Sequence, residues 1–109
     1  VANIYKNAKV DFTNTDNTTV YTSPSNSRAI VKSILVSDDS GSGDSITVTL
    51  TDASAAVFSL FKTKTIGSNA TTELITQPII LQESEILKAQ ATTAARLHMV
   101  VSLLEINRD

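Results

Sequence analysis

The single histidine, His98, is the only side chain here that titrates near neutral pH unperturbed, so a Ser-His-Asp triad or general-base reaction would most naturally run through it. It falls in the middle of an alternating, strand-like segment. No G-x-S-x-G elbow accompanies it, and Gly41-Ser42-Gly43 has the wrong spacing for one. A lone strand histidine reads as a structural or interface residue, since catalytic roles need partners held at hydrogen-bond reach, so no catalytic residue is assigned. With no cysteine, a thiol nucleophile, a disulfide framework and a thiolate metal site are all excluded. A closed zinc site would need His98 plus three carboxylates.

The segment from Asp38 to Asp44 gathers Asp38, Asp39 and Asp44 around two glycines, and such oxygens could wrap a hard cation such as calcium. The spacing misses the EF-hand pattern, so the expected reading is a solvated hairpin loop with no metal. Glu83 and Glu85 stand two apart without an aromatic sugar platform, which reads as an exposed pair rather than glycosidase carboxylates. Gly41, Gly43 and Gly67 cannot be arranged as a dinucleotide fingerprint or a Walker A loop, so no cofactor is expected. Two sequons, at Asn17 and Asn69, lie in predicted loops of a threonine-rich chain and read as coincidence.

The elements that must carry these residues show period two, as a strand with one buried face requires. Ile46, Val48 and Leu50 are expected to face a core, with Thr47, Thr49 and Thr51 facing water. Leu97, Met99, Val101 and Leu103 alternate with His98, Val100, Ser102 and Leu104, so both faces of that strand are largely apolar. It is expected to be central and covered on two sides, within the fold or by a neighbouring subunit. Further strands are predicted at Tyr5 to Phe12, Thr18 to Thr22, Ala29 to Ser37, Val57 to Ile66, Thr72 to Thr76, Ile79 to Leu81 and Ile86 to Ala91. Asn, Asp, Ser, Gly and Pro fill the intervals between them. From Glu83 to Arg96 a short helix is an alternative, but Thr92 and Thr93, the missing N-cap and the alternation from Leu87 to Ala91 favour strand. Phe58 and Phe61 are expected on opposite faces, one in the core and one on a contact surface.

These strands predict an all-β chain, a single jelly-roll-like β-sandwich of eight or nine short antiparallel strands. Residues 1–12 form an N-terminal arm or an edge strand, and residues 13–109 the sandwich. The 109 residues fit one core, since a chain of this mass buries about two-thirds of its surface on folding. Net charge is −2 and the basic residues are scattered, so nucleic acid is not an expected partner. No apolar run approaches the roughly 20 residues of a membrane span, so a soluble domain without a membrane partner is expected. Val1-Ala2-Asn3-Ile4 does not read as the start of a secretory signal.

With no catalytic set and no cofactor loop, the expected function is non-enzymatic and works through the surface. Several segments are similar, in order and spacing, to small virion structural proteins of tailed phages, marine and cyanobacterial ones among them. They are Thr19-Val20-Tyr21-Thr22-Ser23-Pro24, Ala29 to Val36, Ile46 to Thr51, Thr72-Glu73-Leu74-Ile75, Gln77 to Glu83, Leu87 to Ala91 and Val100 to Ile106. The similarity runs from about Thr18 to Ile106; its motifs are strand and turn patterns that other sandwiches share. It implies a β-sandwich, often a jelly roll, that decorates a capsid or belongs to the tail. The first expectation is a capsid cement protein bound to the major capsid protein on the outer surface of the virion, as a homotrimer. The alternatives are a tail, neck or fibre component, or a secreted adhesin or carbohydrate-binding module. The expected protein-contact residues are Val1, Ala2, Asn3, Ile4, Tyr5 and Lys6, which precede the family-like region and include two large apolar side chains.

Overall fold

The computed structural model describes residues 2–108, and every regular element in them is a strand. In chain order these are β1 (Ala2–Asp11), β2 (Thr18–Thr22), β3 (Ser27–Asp38), β4 (Asp44–Thr51), β5 (Val57–Ile66), β6 (Thr71–Glu73), β7 (Ile79–Leu81), β8 (Ile86–Ala91) and β9 (Leu97–Asn107). Residues 83–96 hold a strand where a helix was the alternative, because Leu87, Ala89 and Ala91 alternate into the core.

Pairing is nested. The first strand pairs with the last, β2 with β8, β3 with both β6 and β7, and β4 with β5, all antiparallel. A ribbon paired in this way has one apolar face, and rolling it up buries that face. Contacts of β9 with β3 and of β8 with β4 then complete two sheets, ordered β1-β9-β3-β6, with β7 also on β3, and β2-β8-β4-β5. That order is the jelly roll, with β6 and β7 acting as one interrupted strand along the same edge of β3.

The core lies between the sheets. Ala29, Val31, Ile34 and Val36 of β3 and Leu97, Met99, Val101 and Leu103 of β9 meet Ile46 and Val48 of β4 and the alternating apolar residues of β8. In β3 the inward residues change from odd to even numbers because the ladder with β9 slips between Val31 and Ser33, and an extra residue reverses which face the chain presents. In β4 the expected alternation fails at the end of the strand. Leu50 is only partly covered, whereas Thr51, expected to face water, is buried. The β4–β5 ladder slips twice, so a rule based on one regular partner does not reach the strand's end. Strand β9 is central, as expected, but its second face is not covered by this chain, and Val100 is 40% exposed.

Candidate functional site

His98 projects from the outer face of β9, opposite Asp11 on β1. Its Nε2 lies 3.2 Å from Asp11 Oδ1 and its Nδ1 lies 3.7 Å from Asp39 Oδ1. Two carboxylates flanking an imidazole on an open surface make a cross-strand ion pair when the ring is protonated. Among the described residues no serine or threonine hydroxyl bonds to the ring, which is what a nucleophile–base pair needs.

The three acids of the 38–44 loop turn in three directions. Asp38, buried at the end of β3, accepts hydrogen bonds from Ser40 Oγ at 2.5 Å and from the backbone N–H groups of Ser40, Gly43 and Asn69 at 3.2, 3.0 and 3.1 Å. These donors, the Ser40 hydroxyl foremost, hold its carboxyl well below the usual carboxylate range. Asp44 accepts from the N–H of Thr93 at 2.8 Å, and Asp39 faces His98. The loop therefore uses its carboxylates to clamp its own backbone and the 67–70 turn. Among the described residues no three His, Cys, Asp or Glu side chains converge as a metal site. Glu83 and Glu85 are similarly engaged. Arg108 grips Glu83 through two nitrogens at 2.7 and 2.9 Å, while Glu85 accepts from the N–H of Gln82 at 2.8 Å.

One polar cluster escaped sequence reasoning. Glu105 occupies the inward position that follows Leu97, Met99, Val101 and Leu103, and is only 5% exposed. Its Oε1 accepts a short hydrogen bond from the Tyr21 hydroxyl and another from Lys6 Nζ at 3.3 Å. The Tyr21 bond first, and the lysine after it, keep the carboxyl below its usual range; burial, and then the carboxylate, push the Tyr21 phenol up. An acid in the inward phase of an apolar strand was the available signal. The cluster ties β1 and β9 of one sheet to β2 of the other, which is a structural task.

The expected contact residues fall on both sides of one strand. Val1 lies outside the described residues. Ala2 to Lys6 are the first half of β1, which pairs with β9 throughout its length as the outer strand of the sheet. Ile4 and Lys6 take the inward phase, opposite Glu105 and Leu103, whereas Asn3 and Tyr5 take the outward phase, opposite Ile106 and Leu104. Tyr5 is not isolated. The register places Tyr5 beside Leu104, Leu104 beside Ile30, and Ile30 beside Ile80, an apolar row across four strands on the outer face. Tyr5 is 74% and Ile80 52% exposed, and Val100 beside Leu35 forms a shorter parallel row. Lys32 stands over the Tyr5 ring, 6.0 Å from its centroid. On the other sheet Phe58 is exposed, and Phe61 packs against the core.

No protein-family model matches this chain, and no curated protein matches it. Solved structures do. A chain in the acid-stable capsid of Helicobacter pylori bacteriophage KHP30 superimposes with a TM-score of 0.58, covering 99% of this chain and 95% of that one at 12% identity. A chain of the disulfide-linked pili that form Bacillus endospore appendages gives a TM-score of 0.57, covering 98% and 89% at 11% identity. At such identities the likeness establishes the fold, a jelly-roll sandwich matched almost end to end.

Proposed function

We propose that this protein is a non-enzymatic virion structural protein that binds the outer surface of an icosahedral capsid and stabilises the shell. The observation that carries this reading is the uncovered row Tyr5–Leu104–Ile30–Ile80, a continuous apolar strip on a sheet whose other face is already buried. Contiguous exposed apolar surface marks a place where another macromolecule sits. We take the major capsid protein as that partner; the end-to-end likeness to a phage capsid chain and the resemblance to small phage virion proteins support a virion setting. Modest contacts suffice in such a role, because many copies, each bridging neighbouring shell subunits, add their effects. His98 and the acids of the 38–44 loop are engaged in ion pairs and backbone hydrogen bonds.

The test is to add purified protein to expanded capsids that lack it and to measure co-sedimentation and resistance to heat. Saturable binding with a raised disruption temperature is expected; protein that stays in the supernatant overturns the reading. A second reading, a tail or fibre subunit, is favoured by the likeness to a pilus chain, although this sequence has no cysteine for a disulfide link like the one described for those pili. Copy number in purified particles separates the two: many copies per particle fit a shell protein and a few fit a tail component.

A further inference from the structure

A sandwich of two open sheets has edges with unpaired backbone groups, and natural proteins blunt such edges with bulges, short strands, proline or charge. Three of the four edges here are blunted. Strand β5 follows a ladder that slips twice and has a left-handed residue at Thr63; β2 has five residues and a bulge; the β6/β7 edge is interrupted over 74–78, where Pro78 lies. The fourth, β1, is different. It runs for ten residues in unbroken register with β9, and among the described residues no backbone group of 2–10 bonds to anything else. Of its two lysines, Lys6 turns inward to Glu105 and leaves Lys9 as the remaining guard.

We propose that the open edge of β1 pairs, antiparallel and about a two-fold axis, with β1 of a second copy of this chain. Such a contact is self-complementary, so the same strand must serve as both partners, and the side chains decide where the axis falls. Residues facing each other across the axis must project from the same side of the sheet. An axis at Lys6 or Lys9 sets like charges opposite each other, which is unfavourable. At Tyr5 or Ala8 the overlap shortens at one end. At Asn7 the strands overlap from Asn3 to Asp11, with Asn7 facing itself, Ile4 facing Val10 on the inner side, and Lys9 facing Tyr5 on the outer side. No like charges then stand directly opposite each other.

This two-fold pairing differs from the homotrimer expected above. A three-fold ring would need β1 to meet a different surface of the next copy. The product is one continuous sheet with both apolar rows on the same face, which would double the surface offered to a shell. The association itself does not depend on shell binding and is read in solution.

Sedimentation equilibrium of the intact chain should show a concentration-dependent dimer. Asn7→Lys and Asn7→Asp each place like charges at the axis and should weaken self-association about tenfold or more. An equimolar mixture of the two should restore a heterodimer. Asn7 is exposed, and circular dichroism checks that both variants keep the all-β fold. A wild-type chain that is monomeric at millimolar concentration, a trimer, or variants that stay monomeric when mixed would each overturn the proposal.

Discussion

Replacing Glu105 tests whether the buried polar cluster helps to lock the two sheets together. In Glu105→Ala the Tyr21 hydroxyl loses a charged acceptor, a loss of about 1.5–3 kcal/mol. The one buried methylene that is lost adds about 0.8 kcal/mol. The lysine contributes at most about 1 kcal/mol, because its side chain is 39% exposed and regains water. The sum, about 2–5 kcal/mol, does not exceed the roughly 5–16 kcal/mol expected for a domain of this length, so the variant still folds. A double-mutant cycle with Tyr21→Phe, measured by urea unfolding at neutral pH, isolates the pair and should give a coupling of about 1.5–3 kcal/mol. Because the folded carboxyl is held below its ordinary value, the coupling is fully present above about pH 4.3 and is lost as pH falls through the folded value. The raised Tyr21 phenol gives the opposite limb, with stability present below about pH 10 and declining above it. Additivity within about 0.5 kcal/mol at neutral pH would refute the role given to this pair.

Three further outcomes follow from the packing. Met99→Ala empties the middle of the core, where the side chain is fully buried, and should lower unfolding free energy by about 2–5 kcal/mol in the same assay. Gly43→Ala combines a φ of +70° with a new carbon 3.1 Å from the Ile66 carbonyl oxygen, and should cost about 1–2 kcal/mol, read as a lower Tm. Asp38→Asn removes the charge that gathers the 38–44 loop, so amide exchange at Gly43 and Asn69 should accelerate while the β3–β9 ladder stays protected. The wild-type loop should loosen likewise as pH falls through the depressed Asp38 value, having been held at all higher pH.

Strand positions were legible because burial of one face imposes alternation on local sequence; Val57 to Ile66 and Ile86 to Ala91 stand where the pattern put them. The slip at Val31 and Ser33 was not legible, since a bulge is defined by the partner strand and not by the bulged residues alone. Glu105 was readable only as an acid out of place, and its partners Tyr21 and Lys6 are 84 and 99 residues away in the chain. The apolar row was hidden for the same reason. Tyr5, Ile30, Ile80 and Leu104 come from four separate strands, and only the nested pairing sets them side by side. Reading the first six residues as a contact segment singled out Tyr5, but their attachment to β9 means that deleting them would strip half an edge strand. Point substitutions on the outer face are the cleaner probe.

The most direct test of the central claim is shell binding by Tyr5→Ser and Ile80→Ser beside the wild-type chain. Both side chains are exposed, so each variant should keep wild-type stability to within about 0.5 kcal/mol. If the outer apolar row is the docking surface, co-sedimentation with expanded capsids should fall sharply for both and further for the double variant. Wild-type binding by stably folded double-variant protein would contradict the account.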